Sequence, residues 1–103
     1  MSYLITDNRA LAQYCQNAAG QSVLAVDSEF IRQSTLYPKL GLIQLFDGKQ
    51  LALVDPLTIP DWQPLAQLFA DETIVKTLHS CTEDLEALAT IGINHIQSLF
   101  DTQ

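Results

Sequence analysis

The spacing of apolar residues along the chain changes about every ten positions, and each change predicts a new helix or strand. Three stretches show the three- and four-residue spacing of an amphipathic helix. Their apolar positions are Leu11, Tyr14, Cys15 and Ala18 in the first, Trp62, Leu65, Leu68 and Phe69 in the second, and Leu85, Leu88 and Ala89 in the third. The residues that cap these helices are predicted to be Thr6 or Asp7, then Asp61, then the capping box from Ser80 to Glu83.

Six shorter runs are rich in branched and aromatic apolar residues and predict strands. They cover residues 3–5, 22–31, 41–46, 51–54, 73–78 and 96–100. The pair Asp47-Gly48 predicts a tight turn between the third and fourth strands. Three strands in succession predict an antiparallel meander, and strands joined through helices predict parallel pairing. The pattern therefore predicts an α/β domain with a mixed sheet, antiparallel on one side and parallel on the other. An ordinary half of an α/β enzyme and a ribonuclease H-like fold both satisfy it.

The chain has 103 residues, of which 48% are apolar. This length and composition are typical of one globular domain or part of one. Twelve acidic and five basic side chains give a formal charge of −7, which excludes a nucleic-acid interface built on a broad basic patch. If such a chain acts on a polyanion, metal ions are the obvious means of offsetting the repulsion.

The cysteines and the amino-terminal residues bear on the compartment. Cys15 and Cys81 stand far apart without a Cys-x-x-Cys pair, so we expect buried thiols rather than a zinc site or a disulfide framework. That usage suits a reducing compartment. The first residues show no signal peptide, and no apolar run is long enough to cross a bilayer. We therefore expect a cytoplasmic protein without a membrane partner.

Two carboxylates stand near the end of the second predicted strand, in the run Val26-Asp27-Ser28-Glu29-Phe30. Residues two apart on a strand face the same side, so Asp27 and Glu29 share one face. Apolar residues on both faces predict a strand that is buried on both sides. Paired carboxylates in such a place favour a hard divalent cation such as Mg²⁺ or Mn²⁺. The same spacing also suits a strand end that projects into solvent.

A further carboxylate stands in the first turn of the third predicted helix. If Ser80 caps that helix, Glu83 belongs to the capping box and Asp84 follows it. Ligand sites of open α/β sheets gather beyond the carboxyl ends of strands, which is where this helix begins. The alternative is purely structural, because the positive end of a helix dipole favours an acidic residue without any ligand.

Four segments, taken in order, closely resemble ribonuclease D, a family in the DEDD superfamily of 3′-5′ exonucleases. They are residues 26–30, 37–45, 51–56 and 78–85, and they span nearly the whole chain. The resemblance implies a ribonuclease H-like domain in which Asp27 and Glu29 match the first exonuclease motif and Asp84 matches the second. It implies that these carboxylates hold two divalent metal ions, Mg²⁺ or Mn²⁺. It also implies release of nucleoside 5′-monophosphates from RNA 3′ ends, as in the processing of transfer RNA and other stable RNA.

Two more residues are candidates for contact with substrate. The ring of Phe30 could stack on the terminal base, with a place in the core as the alternative. The resemblance suggests for His79 a hydrogen-bonding role at a strand end. A sister branch of the superfamily uses His-x-x-x-x-Asp as its third motif, and His79 to Asp84 has that spacing. If His79 and Asp84 were that third motif, the sequence would have no convincing second motif.

The third motif of the resemblance is Tyr-x-x-x-Asp, well downstream of the second, and these residues do not contain it there. Tyr3 and Asp7 have the spacing but precede the first motif. We therefore expect residues 1–103 to form a partial exonuclease domain, without the third motif and the carboxyl-terminal helical domains. Such a truncated domain should have little or no nuclease activity and should self-associate through exposed apolar surface. The alternatives are a DNA 3′-5′ exonuclease of the same superfamily and a non-catalytic remnant that binds nucleic acid or protein.

Overall fold

A computed structural model describes residues 2–31, 39–78 and 81–101. This part of the chain contains six strands and three α-helices in the predicted order. They are β1 (Ser2–Ile5), α1 (Asn8–Ala18), β2 (Val23–Ile31), β3 (Lys39–Phe46), β4 (Leu51–Val54), α2 (Gln63–Ala70), β5 (Val75–Leu78), α3 (Cys81–Thr90) and β6 (Leu99–Asp101). A short 3-10 helix at Pro56–Thr58 lies between β4 and α2. None of the helices described is long and apolar enough to cross a membrane.

A six-stranded sheet in the order β1-β4-β3-β2-β5-β6 forms the centre of the fold. Strands β2, β3 and β4 form the predicted antiparallel meander. Beyond β2, strands β5 and β6 continue the sheet in parallel. The prediction of a mixed sheet with an antiparallel and a parallel side is thus confirmed. Strand β1 pairs in parallel with β4, an edge position that the sequence pattern left open.

The helices pack on one face of the sheet, where alternate strand residues are buried and join the inner sides of the helices in one apolar cluster. The fully or nearly buried helical members are Leu11, Tyr14, Cys15, Ala18, Leu65, Leu68, Phe69, Ala87 and Leu88. Burying each of the larger apolar side chains contributes about 1.5–3 kcal/mol. This packing holds the strands in register beneath the helices, so it also fixes which side each strand residue faces.

The predicted cap of α1 and the predicted tight turn are present. The carboxylate of Asp7 accepts a hydrogen bond of 2.8 Å from the backbone N–H of Ala10 and caps α1. The N-cap residue of α2 is Trp62, without a side-chain capping bond, so the prediction that Asp61 caps this helix is wrong; Asp61 Oδ1 accepts instead from the backbone N–H of Gln63, two residues on, at 3.0 Å. Between β3 and β4, Gly48 has a φ of 97°, and Asp47 Oδ1 accepts two backbone N–H groups of the turn. Ser80, the predicted cap of α3, lies outside the described residues.

Two strands begin two or three residues later than predicted because the preceding residues have a turn conformation. Thr73 donates its backbone N–H and its hydroxyl to Asp71 Oδ1 at 2.9 and 2.6 Å, so β5 begins at Val75 and not at residue 73. Ser98 has a φ of 57°, which an extended strand does not allow, and β6 begins only after it.

The inner side of α3 also differs from the prediction. Ala89, expected on that side, is exposed, whereas Ala87 is fully buried beside Leu88. Successive helical residues are rotated by about 100°. When Ala87 and Leu88 face the core, this rotation places Ala89 on the side that faces solvent. The same rotation brings Asp84, one turn earlier than Leu88, to the buried side.

Two titratable groups in the core have shifted pKa values. Burial raises the pKa of the Cys15 thiol to about 12, which makes it an inert apolar group as predicted. The side chain of Cys81 lies outside the described residues. Lys76 is fully buried, and its Nζ donates to the backbone carbonyl of Asp71 at the end of α2. Burial lowers the pKa of Lys76, and the negative charge of Asp71 opposes that shift.

Candidate active site

Asp27 and Glu29 lie toward the carboxyl end of β2, on the sheet face opposite the helices. The register sets Asp27 opposite Gln44 of β3 and Glu29 opposite Leu42. Asp27 is partly buried, whereas Glu29 is exposed. The strand becomes irregular immediately after Glu29, where its pairing with β3 shifts. Two carboxylates therefore point to one side of the strand at the place where regular pairing is interrupted.

The expectation that β2 is buried on both sides is wrong. Leu24 and Val26 are buried beneath the helices, but Val23 on the other side is 36% exposed. A cavity of about 320 Å³ opens on that side, lined by Ala25, Val26, Asp27, Gln44, Phe46, Leu51 and Thr77. All helices of the described chain pack on the opposite face, so the apolar residues on this face remain uncovered. We call it the open face of the sheet.

Asp84 lies in the first turn of α3 and is 1% exposed. Ser28 Oγ donates to Asp84 Oδ1 at 2.5 Å. Ser28 belongs to the helix-covered side of β2, because it alternates with Asp27 and pairs with the buried Ile43. The carboxylate of Asp84 therefore approaches the end of β2 from the side of the helices, opposite to Asp27 and Glu29.

Ser28 links the two sides of the strand. Besides the hydroxyl contact to Asp84, its backbone N–H donates to Asp27 Oδ1 at 2.9 Å. Within residues 2–31, 39–78 and 81–101, no three His, Cys, Asp or Glu side chains form a group that could hold a metal ion. The three predicted ligands thus lie at one end of β2 but on both of its sides. Their assignment as site residues remains a prediction.

The two candidate substrate contacts fall outside what the structure describes. Residue His79 is not among the described residues. The backbone of Phe30 belongs to β2, but the place of its ring is not described. Both assignments remain predictions, and the alternative of a core position for Phe30 stays open with them.

The prediction from sequence did not include two polar residues near the carboxylates, Ser28 and Gln44. Ser28 carried a usable signal, because strand alternation sets this hydroxyl on the same side as the apolar Leu24 and Val26. A hydroxyl on an otherwise apolar side suggests a partner, and the partner of this partly buried group is Asp84. The sequence gives no such signal for Gln44, because only the register of β3 against β2 sets this residue opposite Asp27.

Comparisons with known proteins extend over almost the whole chain. A sequence model for the 3′-5′ exonuclease domain matches residues 3–103. Ribonuclease D of Escherichia coli K12 is 48% identical over all of this chain, which spans 28% of that relative's length. Ribonuclease D of Haemophilus influenzae is 51% identical over 80% of the chain and 21% of its own length.

Solved structures show the same architecture. The crystal structure of Escherichia coli RNase D, described as an exoribonuclease involved in structured RNA processing, matches with a TM-score of 0.92 at 46% identity. That match covers 99% of this chain and 27% of the other. Trypanosoma brucei RNase D in complex with RNA U12 shares the fold, with a TM-score of 0.84 at 20% identity over 99% of this chain and 37% of its own. The predicted ribonuclease H-like fold is confirmed by these neighbours.

Proposed function

Because the chain belongs to the 3′-5′ exonuclease family, we propose that it forms part of an exoribonuclease that hydrolyses phosphodiester bonds from RNA 3′ ends. The chain spans only about a quarter of the length of the relatives it matches. One observation supports the proposal: three carboxylates that match the exonuclease motifs lie at one end of β2, on both of its sides, and Ser28 contacts Asp84 and Asp27 by hydrogen bonds.

We assign the binding of two divalent ions, Mg²⁺ or Mn²⁺, to Asp27, Glu29 and Asp84. The donor chemistry fits, because all three supply carboxylate oxygens, the ligands that hard divalent cations prefer. When bound, such ions supply an activated water and stabilise the charge on the leaving oxygen. The three carboxylates would hold the ions at the strand end. The positive charge of the ions would then offset the negative charge of the carboxylates where the RNA binds.

The proposed substrate is the 3′ end of a structured or stable RNA, such as a transfer RNA precursor. The Escherichia coli relative is described as acting in structured RNA processing, and the trypanosome neighbour was solved with RNA. Phe30 and His79 remain the proposed substrate contacts, by stacking and hydrogen bonding respectively. The proposed compartment is the cytoplasm, which the use of Cys15 as a buried free thiol favours.

The activity test compares RNA and DNA oligonucleotides of one sequence, labelled at the 5′ end, in the presence of Mn²⁺. A polypeptide in which a Tyr-x-x-x-Asp motif follows these residues should shorten RNA from its 3′ end and release nucleoside 5′-monophosphates. We expect the 103-residue chain alone to release little or none, because only three of the four family carboxylates are present. Preferential digestion of DNA would favour the DNA exonuclease instead. No digestion of either polymer by the longer polypeptide would favour a non-catalytic remnant.

We also propose that the 103-residue chain pairs with a second copy through the open face. Large apolar residues there are 36–60% exposed, and they are Leu4, Val23, Phe46, Val75 and Phe100. Among the strand residues of this face whose side chains the structure describes, the charged ones are Asp27 and Glu29, and both lie at one end. The net charge of −7 makes two copies repel each other, but most of the charged side chains lie outside the open face. Salt screens this repulsion.

Sedimentation velocity at rising protein concentration tests the pairing. We expect a monomer–dimer equilibrium that tightens with added salt. The Phe46→Gln variant should weaken it about tenfold or more, because an aromatic ring at the centre of an apolar patch contributes disproportionately. Leu57→Gln is the matched control, since Leu57 is 66% exposed but lies outside the sheet. A wild-type chain that stays monomeric at every concentration would contradict the proposal.

A further inference from the structure

Ser28 stands between two acidic residues but faces away from both. It shares the helix-covered side of β2 with Leu24 and Val26, which are 0% and 3% exposed. A strand side of this kind normally carries apolar side chains, because a polar group there loses its contacts with water. Ser28 itself is partly buried, and its hydroxyl has a specific partner inside the fold.

The partner is a buried carboxylate from a distant part of the chain. Ser28 Oγ donates to Asp84 Oδ1 at 2.5 Å, while the backbone N–H of Ser28 donates to Asp27 Oδ1 at 2.9 Å. A single residue thus contacts one carboxylate from β2 and one from α3. Hydrogen bonds to ionised carboxylates are stronger than those between neutral groups, so both contacts restrict the orientation of the acid that accepts them.

We propose that Ser28 is a positioning residue for the metal site. It fixes the direction of the Asp84 carboxylate relative to Asp27, and these are two of the carboxylates that would hold the ions. The inference rests on the proposed function, because it assumes that Asp27 and Asp84 bind metal. Groups that orient metal ligands by hydrogen bonds typically change metal affinity by about 10- to 100-fold when they are removed.

The test measures Mn²⁺ affinity of the 103-residue chain by isothermal titration calorimetry, with the melting temperature recorded for each variant. Ser28→Ala and Ser28→Val remove the hydroxyl, and we expect both to weaken Mn²⁺ binding by about 10- to 100-fold. Ser28→Thr keeps the hydroxyl and has almost the shape of valine, so it should bind within about threefold of wild type. Valine and threonine both suit a strand, which separates loss of the hydroxyl from loss of the fold.

The outcomes distinguish the inference from the function on which it rests. Wild type that binds no Mn²⁺ would overturn the proposed metal site and the inference with it. Wild type that binds Mn²⁺, together with Ala and Val variants of unchanged affinity, would overturn the inference alone. A Thr variant as weak as the Val variant at equal melting temperature would also overturn it, because the hydroxyl would then have no effect. Recovery of binding by threonine alone supports the positioning role.

Discussion

Replacing Phe69 with alanine is expected to lower the free energy of unfolding by about 3–5 kcal/mol. Phe69 is fully buried on the inner side of α2, where it belongs to the apolar cluster beneath the sheet. Removal of the ring loses its transfer free energy and leaves a cavity that close-packed neighbours fill only in part. Small domains have total unfolding free energies of about 5–15 kcal/mol, so this loss is a large share of the whole. Urea denaturation followed by circular dichroism measures it.

The matched control for this prediction is Leu57→Ala. Leu57 is 66% exposed in the 3-10 turn Pro56–Thr58, so its truncation should change the unfolding free energy by no more than about 0.5 kcal/mol. Both measurements belong at the lowest practical protein concentration, because association of the open face would stabilise the folded chain. A loss below about 1 kcal/mol for Phe69→Ala would show that the ring does not carry the packing assigned to it.

Phe69 also shows why the sequence predicts the core of this fold so well. Its spacing from Leu65 and Leu68 is enough to place all three on one side of a helix, and all three are buried. The information is local, because helix periodicity links residues that are only three or four positions apart. The meander is also predicted from local information. Strands that follow one another through short connections are expected to pair with their neighbours in sequence.

The features that the sequence did not predict depend on contacts between distant residues. Val23 and Ala25 are apolar on one side of β2 and Leu24 and Val26 on the other, so the pattern cannot say which side the helices cover. The covered side follows from how α1, α2 and α3 pack, which no local rule determines. Likewise Asp84 and Ser28 are 56 positions apart, and only the parallel pairing of β2 with β5 brings α3 to the end of β2.

The carboxylates themselves were identifiable, but their arrangement was not. Strand alternation predicted that Asp27 and Glu29 share a face, and the helix start predicted a place for Asp84 beyond a strand end. Neither rule gives the side of β2 from which Asp84 approaches. That side follows from the rotation of α3, which buries Ala87, Leu88 and Asp84 together.

Removing the charge of Asp27 is expected to produce the largest effect on metal binding. Asp27→Asn should weaken Mn²⁺ binding by the 103-residue chain by more than about 100-fold, equivalent to about 2.8 kcal/mol. The amide oxygen of asparagine can still accept the N–H of Ser28, which Asp27 Oδ1 accepts at 2.9 Å, so the local backbone contact is retained. The change therefore isolates the charge, which determines the affinity of oxygen ligands for a divalent cation. Isothermal titration calorimetry with Mn²⁺ measures it.

Glu86→Gln is the control that makes this result specific. Glu86 is exposed on α3, and its substitution removes the same single charge from a chain of net charge −7. If Mn²⁺ were held only by the general negative potential, both variants would bind with the same modest loss, and the loss would vanish in high salt. A site built from Asp27 requires a large effect from Asp27→Asn and almost none from Glu86→Gln. Identical titrations of wild type and Asp27→Asn would contradict the metal assignment, because no ligand set that includes Asp27 tolerates the loss of its charge without a change in affinity.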